Sequence, residues 1–106
     1  MNSIQRRLFR TFVQAGGDLT EDAEVERFIR YIEASLTMLP PKVKTAIEFT
    51  WRAKDSPSYA RIAASLSERE GSAVTPTALR QRVSRGLRLL EEAIRSRPWS
   101  LPPRVE

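Results

Sequence analysis

The sequence predicts a small all-α domain of about five helices, whose last two helices are joined by a short turn and followed by an extended, proline-containing tail. Apolar residues recur at spacings of three and four in five successive stretches, which is the period of an amphipathic helix. Glycine, proline or short polar residues separate these stretches. With 106 residues, the chain has room only for the core that a few helices build.

The first predicted helix covers residues 2–15. Its apolar residues follow an i, i+4, i+5, i+8, i+9 pattern, and arginines occupy the other faces. The stripe consists of Ile4, Leu8, Phe9, Phe12 and Val13. Gly16 and Gly17 end this helix, because paired glycines break the periodicity and supply left-handed conformations.

The second helix is predicted from about Thr20 to about Met38, with acidic residues in its first turn. Its predicted buried stripe is Val25, Phe28, Ile29, Ile32 and Leu36. Residues 18–33 carry six acids and two arginines, a net charge of −4, so acidic charge is segregated from the basic carboxyl-terminal half. Two interpretations are open: a solvated acidic face, or a surface that contacts a basic protein or shields the basic half until a partner displaces it.

Leu39-Pro40-Pro41 is a predicted hinge that also starts the third helix. Proline blocks the preceding helix and is preorganised for the first helical position. The third helix is expected from Lys42 to about Ala53. Its predicted buried side is Val43, Ala46, Ile47, Thr50 and Trp51.

A fourth helix is predicted after a turn at residues 54–57. Ser58 is its expected N-cap, and the helix runs to about Glu70 with Gly71 as its cap. Its inward side is Ile62, Ala63 and Leu66. The small Ala63-Ala64 pair would let another helix approach closely.

The fifth helix is predicted to begin at Pro76, with Thr75 as its N-cap. Its buried stripe is expected to be Leu79, Val83, Gly86, Leu90 and Ile94. Gly86 is expected to face either Ala63-Ala64 or the third helix. Residues 75–97 hold six arginines and two glutamates, a net charge of +4.

The opposite face of the fifth helix is polar and basic. Thr77, Gln81, Ser84, Arg85 and Arg88 point away from the buried stripe, and Arg80 and Arg82 flank it. A solvated basic face is one interpretation. The other is a nucleic-acid interface, because short polar side chains near the helix start would meet base edges while arginines behind them hold phosphates. Two short helices joined by a tight loop, the second of them basic, are typical of a helix-turn-helix.

The composition favours a polyanionic partner and argues against an enzyme. The net charge is +5, and 15 of the 18 basic residues are arginine, which binds phosphate and guanine in bidentate fashion. The chain has no Cys and no His, which excludes disulfides, thiolate or imidazole metal sites and Ser-His-Asp catalysis. Glu91 and Glu92 are adjacent on a helix and point about 100° apart, which is wrong for a carboxylate dyad. We therefore expect no enzymatic activity and no cofactor.

The sequence also argues against a membrane partner. No apolar run approaches the ~20 residues needed to cross a bilayer, and the first residues lack the apolar core of a signal peptide. The absence of Cys is compatible with a reducing compartment. We expect a soluble, cytoplasmic protein.

Residues 39–95 resemble region 4 of bacterial sigma-70-type factors, in particular the extracytoplasmic-function group. The matching pieces, in order, are Leu39-Pro40, the apolar helix to Trp51, Ser58-Tyr59-x-x-Ile62-Ala63-x-x-Leu66 and Val74-Thr75-x-x-Ala78-Leu79-Arg80-x-Arg82-Val83-Ser84-Arg85-Gly86. The resemblance implies that the last helix binds the promoter −35 element and that the unit docks on the flap of the RNA polymerase β subunit. Carried over by position, the DNA-facing residues would be Thr75, Thr77, Ala78, Arg80, Gln81, Arg82, Ser84 and Arg85, to which the helical wheel adds Arg88.

The chain also departs from the family. The connection between Leu66 and Val74 is longer than usual, Arg61 stands where a glutamate is common, and Gly86 replaces an alanine. Residues 1–38 show no sign of region 2, which melts DNA and recognises the −10 element in the family. We therefore do not expect a complete sigma factor.

Three segments are predicted: a helical arm at 1–38, a sigma region 4-like unit at 39–95 and an extended tail at 96–106. Within the tail, Trp99 either folds back onto an apolar patch beside the last helix or, with Leu101, forms a docking peptide for another protein. The arm is expected to pack on the unit through Phe28, Ile32 and Leu36, giving a monomer. A homodimer through the Ile4, Leu8 and Phe12 face is the alternative.

The leading functional hypothesis is a DNA-binding transcription protein that recognises double-stranded promoter DNA through the helix starting at Pro76. The alternative is a protein-interaction module that binds RNA polymerase or another transcription factor and makes little DNA contact of its own. Salt-dependent binding to duplex DNA distinguishes the two hypotheses.

Overall fold

The computed structural model describes residues 2–53 and 58–96, and all regular structure in these two ranges is α-helical. The helices are α1 Ser3–Gln14, α2 Asp22–Leu36, α3 Pro41–Trp51, α4 Tyr59–Glu70 and α5 Pro76–Arg95. The predicted all-α domain of five helices is confirmed. No helix within these ranges is long and apolar enough to span a lipid bilayer. The predicted turn at 54–57 and the predicted tail from residue 97 onward lie outside the described residues.

Helix α5 is the central element, and α1, α3 and α4 all pack against it. The predicted stripe of α5 is buried throughout, and Leu87, which the prediction omitted, is buried beside it. The predicted inward side of α3 is also confirmed, since Val43, Ala46, Ile47, Thr50 and Trp51 are all buried. A single apolar core therefore spans the domain.

Gly86 lies where α5 packs closely against Ile47 and Val43 of α3. A Cβ atom at this position would fall 2.7 Å from Ile47 Cδ1 and 2.9 Å from Val43 Cγ1, so a methyl group has no room. Gly86 therefore faces the third helix, which was one of the two predicted neighbours. The other predicted neighbour was the Ala63-Ala64 pair of α4, in which Ala63 is buried and Ala64 is exposed.

Helix α1 covers one side of α5. Ile4, Leu8 and Phe12 are buried as predicted, and Phe9 is half-buried. Phe12 packs against Phe28 of α2, with 4.4 Å between ring centroids. Val13 corrects the prediction, because it is 45% exposed. The predicted stripe is too wide, because the core covers a narrower arc of α1 than the arc that its five apolar residues occupy.

Polar contacts fasten α1 to the end of α3. The buried Asn2 amide donates to the carbonyl oxygens of Thr50 at 2.8 Å and Ala53 at 2.6 Å, and Gln5 Nε2 donates to the Trp51 carbonyl at 2.7 Å. The same two side chains form a capping box at the start of α1. Asn2 and Gln5 thus hydrogen-bond backbone N–H groups at the start of α1 and carbonyl groups at the end of α3. The local sequence pattern does not predict this double role.

Several helix boundaries differ slightly from the predictions. Helix α2 begins at Asp22 rather than near Thr20, because Thr20 donates through its N–H and its hydroxyl to Asp18 at 2.9 and 2.6 Å and so holds a turn before the helix. This helix ends at Leu36, before Met38. Ser58 occupies the N-cap position of α4, but its side chain makes no capping hydrogen bond.

Candidate nucleic-acid interface

The start of α5 is fixed by the cap that the sequence predicted. Thr75 Oγ1 accepts a hydrogen bond from the Ala78 N–H at 3.0 Å, and Pro76 occupies the first helical position. The buried stripe then determines the rotation of the helix about its axis, because its apolar residues must face α1, α3 and α4. The polar side of the first three turns consequently faces away from the core.

The connection from α4 to α5 is also well defined. Gly71 ends α4 in the left-handed conformation, with φ of 69°. The Val74 N–H donates to Ser67 Oγ at 2.8 Å, and the Val74 side chain is buried. Because Ser67 lies on α4, this bond anchors the chain immediately before α5 to the helix that precedes it.

Most of the predicted interface residues share one exposed surface of α5. The exposed members are Thr75, Thr77, Arg80, Gln81, Ser84, Arg85 and Arg88. Ala78 and Arg82 are half-buried. Residues 76–90 contain four arginines and no acidic residue, so this surface has no negative side chain of its own helix beside it.

Arg82 is ion-paired within the domain. Its Nη1 atom lies 2.8 Å from Glu70 Oε2, and the two side chains are only 18% and 22% exposed. The pair joins the last turn of α4 to α5. Arg82 is therefore placed to hold the two helices together, whereas the prediction placed it among the DNA-facing residues.

Arg80 also has a partner on α4. Its guanidinium carbon lies 5.4 Å from the centroid of the half-buried Tyr59 ring, at the first position of that helix. This is cation–π geometry. The exposed Arg80 side chain is thus held toward the start of α4, beside the α5 surface.

Lys42 adds a cation to this surface, although the sequence pattern predicted it only as the start of the third helix. A shallow depression between α3 and α5 is lined by Pro40, Lys42, Gln81 and Arg85, among others. Lys42 precedes Val43, which packs opposite Gly86, so the close approach of the helices puts the start of α3 beside the middle of α5. The sequence pattern of each helix carries no information on this register between helices.

Negative charge on α5 begins only at Glu91, which is already paired. Arg7 Nη2 lies 2.8 Å from Glu91 Oε1, and the Thr11 hydroxyl donates to Glu91 Oε2 at 3.0 Å. Partial burial acts to raise the pKa of the Glu91 carboxyl, but the hydrogen bonds from Arg7 and Thr11 and the charges of Arg7 and Arg95 outweigh it and lower the pKa below its usual value. Glu91 therefore serves the α1–α5 contact.

The acidic helix α2 does not cover the candidate interface. It packs on α3 and lines a groove beside Leu89 and Ala93, in the carboxyl-terminal half of α5. Thr77, Gln81 and Arg85 remain exposed in its presence. One of its acids, Glu26, pairs at 3.2 Å with Arg30 of the same helix.

The described residues offer no alternative metal centre, since no group of three or more acidic side chains in residues 2–53 and 58–96 could hold an ion. Comparison with models of protein families, with curated proteins and with solved structures found no match for this chain. The geometry of the α5 surface is therefore the basis on which a function is inferred.

Proposed function

We propose that this chain is a DNA-binding transcription protein that recognises promoter duplex DNA of the −35 type through α5. The supporting observation is the exposed, acid-free face of α5, which begins at a capped helix start and carries Thr77, Gln81, Arg85 and Arg88. A recognition helix needs short polar groups near its amino terminus and cations behind them. This face has both.

In the proposed complex, the first half of α5 lies in the major groove. Thr77 and Gln81 face base edges, and the Gln81 amide can pair with adenine through two hydrogen bonds. Arg85, Arg88 and Lys42 neutralise phosphates along the groove edges and set the register without specifying sequence. Arg80, held over Tyr59, meets the phosphate chain near the start of α4.

Arg82 has a different role in this proposal from the one predicted for it. Since its guanidinium is paired with Glu70, it fixes α5 on α4 and so orients the neighbouring Gln81. Arg82 still adds positive charge near the α5 surface, but its ion pair with Glu70 restrains its guanidinium from moving to contact a phosphate.

The proposal is tested by selecting preferred duplex sequences from a random pool and repeating the selection with Gln81→Ala. Loss of a bidentate base contact should relax the preference at one position by about 1–3 kcal/mol. Ser65→Ala, an exposed substitution on α4, is the matched control and should return the parental motif. If Gln81→Ala selects the same motif with the same strength, base recognition does not depend on Gln81.

A second groove supports the alternative function of a protein-interaction module. It lies along α3 and α4, and Arg69 is stacked 5.6 Å from the centroid of the Phe49 ring. Lys44 and Arg52 add positive charge to its lining, and Glu48, which also lines it, pairs with Lys44 at 3.8 Å. An aromatic ring edged by cations suits an acidic peptide with an apolar anchor, and the flap of RNA polymerase is the partner that the family resemblance implies.

The two functions differ in what disrupts them. Phe49→Ala should abolish co-purification with RNA polymerase if the groove is the docking site, and it should leave duplex binding and its salt dependence unchanged. A chain that binds polymerase but shows no salt-dependent duplex binding would support the interaction module alone.

We further propose that the protein acts as a monomer in the cytoplasm. The Ile4, Leu8 and Phe12 face that would have formed a dimer is buried within the chain itself. The absence of Cys suits a reducing compartment. Light scattering at several protein concentrations tests the monomer, and a dimer mass would favour recognition of two half-sites instead.

A further inference from the structure

The depression between α3 and α5 is lined by one exposed cation from each helix, Lys42 from α3 and Arg85 from α5. Neither of them takes part in the ion pairs formed within residues 2–53 and 58–96. Two positive charges that line the same depression repel each other, and an anion between them would relieve this repulsion. The depression therefore has the charge of an anion site.

The packing of the two helices fixes where these cations lie. A Cβ atom at Gly86 would fall 2.9 Å from Val43 Cγ1, so these two residues face each other across the contact between α3 and α5. Lys42 comes one position before Val43, and Arg85 comes one position before Gly86. Each cation thus lies at the margin of the same contact. Their backbone positions cannot separate unless Val43 unpacks from Gly86.

The lining keeps its positive charge after its own ion pair is counted. Arg82 also lines the depression, and Glu70 neutralises it at 2.8 Å. None of the described residues in the lining is acidic. The three cations of the lining carry +3, of which Glu70 offsets one, so +2 remains. A phosphate of a nucleic-acid backbone suits this site, because its oxygens can accept from an ammonium and a guanidinium at the same time.

The position of Gln81 in the same lining indicates that the phosphate comes from duplex DNA. This step rests on the proposed function, in which Gln81 faces a base edge in the major groove. Arg80, which lies over Tyr59, and Arg85 are five positions apart, so they point about 140° apart around α5. A helix in the major groove has the phosphates of one strand on each flank, and Arg80 and Arg85 therefore meet opposite strands.

We propose that Lys42 and Arg85 together hold one backbone phosphate of the bound duplex in the depression between α3 and α5. Helix α3 is then part of the DNA interface as well as a support for α5. The phosphate joins the two helices at the margin of their contact, so it also sets how α5 and its Gln81 side chain enter the groove.

The test replaces single phosphates of the selected duplex by uncharged methylphosphonates, one position at a time. At one position the replacement should weaken binding by the full chain several-fold, and Lys42→Ala and Arg85→Ala should each reduce the sensitivity at that same position. Lys44→Ala is the matched control, because it removes the same charge from the same helix. Lys44 lies about 200° around α3 from Lys42 and lines the other groove, so this variant should keep the parental pattern.

Salt dependence provides a second measurement. Because both cations act on one phosphate, the double variant Lys42→Ala/Arg85→Ala should reduce the slope of log affinity against log salt by about one unit instead of two. Circular dichroism establishes that each variant is folded. Two different sensitive phosphates, or a slope change of about two units, would overturn the shared site and leave base recognition by Gln81 standing. A parental chain without salt-dependent duplex binding would refute the proposed function itself.

Inorganic phosphate without DNA tests the free anion as the occupant of the depression. Thermal denaturation is measured with phosphate or chloride at constant ionic strength. If phosphate stabilises the parent but not Lys42→Ala, and the duplex scan shows no sensitive position, the depression binds the free anion and the assignment to the DNA backbone is wrong.

Discussion

At the scale of single residues, Arg82 and Arg85 lie three positions apart on α5 but have different surroundings. Arg82 is paired with Glu70, whereas Arg85 is exposed beside Lys42 and Gln81. Arg85→Ala should therefore weaken duplex binding on all sequences alike and reduce the slope of log affinity against log salt by about one unit. Titrations at several salt concentrations measure that slope.

Arg82→Ala provides the comparison within the same helix. It should lower the melting temperature, because it leaves the partly buried Glu70 carboxylate without its partner. Its effect on the salt slope should be smaller than that of Arg85→Ala. Equal slopes for Arg85→Ala and the parent would remove Arg85 from the interface.

Glu91 makes stability depend on pH. Its pKa is lowered in the folded chain, so the stabilisation from its ionised form is present above the unfolded-state pKa and is lost as the pH falls through the folded-state pKa. Glu91→Gln should lower the melting temperature at neutral pH and reduce the loss of stability on acidification. The exposed neighbour Glu92→Gln is the control. Identical pH profiles for the parent and Glu91→Gln would contradict the assignment.

At the scale of helices, the contact between α3 and α5 depends on the missing side chain of Gly86. An alanine would meet Ile47 and Val43 at distances that real Cβ atoms do not show, so Gly86→Ala should destabilise the domain by about 1–3 kcal/mol. The intrinsic helix preference of alanine, about 1 kcal/mol, acts in the opposite direction. Chemical denaturation measures the difference.

Ile47→Val supplies the matching test, because it removes a methyl group that the new Cβ would meet. The double variant should recover part of the lost stability, so the two changes should not be additive. If Gly86→Ala alone instead raises the free energy of unfolding by about 1 kcal/mol, the full helix preference of alanine, then α3 and α5 have room for the added methyl group.

The helices themselves were predictable because their signals are local. Apolar spacing identified the buried stripe of α5, and Thr75 with Pro76 marked its start correctly. The predicted surface residues Thr77, Gln81 and Arg85 are exposed as the helical wheel required. Whether they bind DNA stays a prediction.

Contacts between helices were harder to predict, because the apolar spacing within one helix does not indicate which residues of another helix it contacts. The pairing of Arg82 with Glu70 and the position of Lys42 beside Gln81 both depend on how helices are placed against each other. Asn2 donates hydrogen bonds to Thr50 and Ala53, which lie 48 and 51 positions away from it in the sequence. Val13 was misassigned for the same reason, because only the assembled core shows how much of α1 it covers.

At the scale of the whole molecule, the first 38 residues are tied to the rest through α1. Deleting residues 1–38 should lower the melting temperature, because it uncovers α5 and removes the Asn2 and Gln5 bonds to the end of α3. The deletion removes five basic and six acidic residues, a net charge of −1, so non-specific duplex affinity should rise slightly. Calorimetry and a binding titration measure the two effects.

Leu8→Ala in the full chain separates packing from charge. Leu8 is fully buried, so its truncation should cost about 2–5 kcal/mol of stability without changing duplex affinity. If the chain of residues 39–106 melts at the same temperature as the full chain and binds DNA identically, the arm is an independent attachment.

The pairing of α1 with α5 also affects the order in which this protein is completed during synthesis. Arg7 and Glu91 are 84 positions apart, so at about 5–20 residues per second roughly 4–17 s separate the addition of the two residues to the growing chain. During that interval α1 exists without the helix that pairs with its Arg7 and Thr11 side chains. Of the five described helices, α1 is thus synthesised before the others but meets α5 only at the end, and a chain that stops before α5 leaves α1 without this contact and open to the chaperones and proteases that act on incomplete proteins.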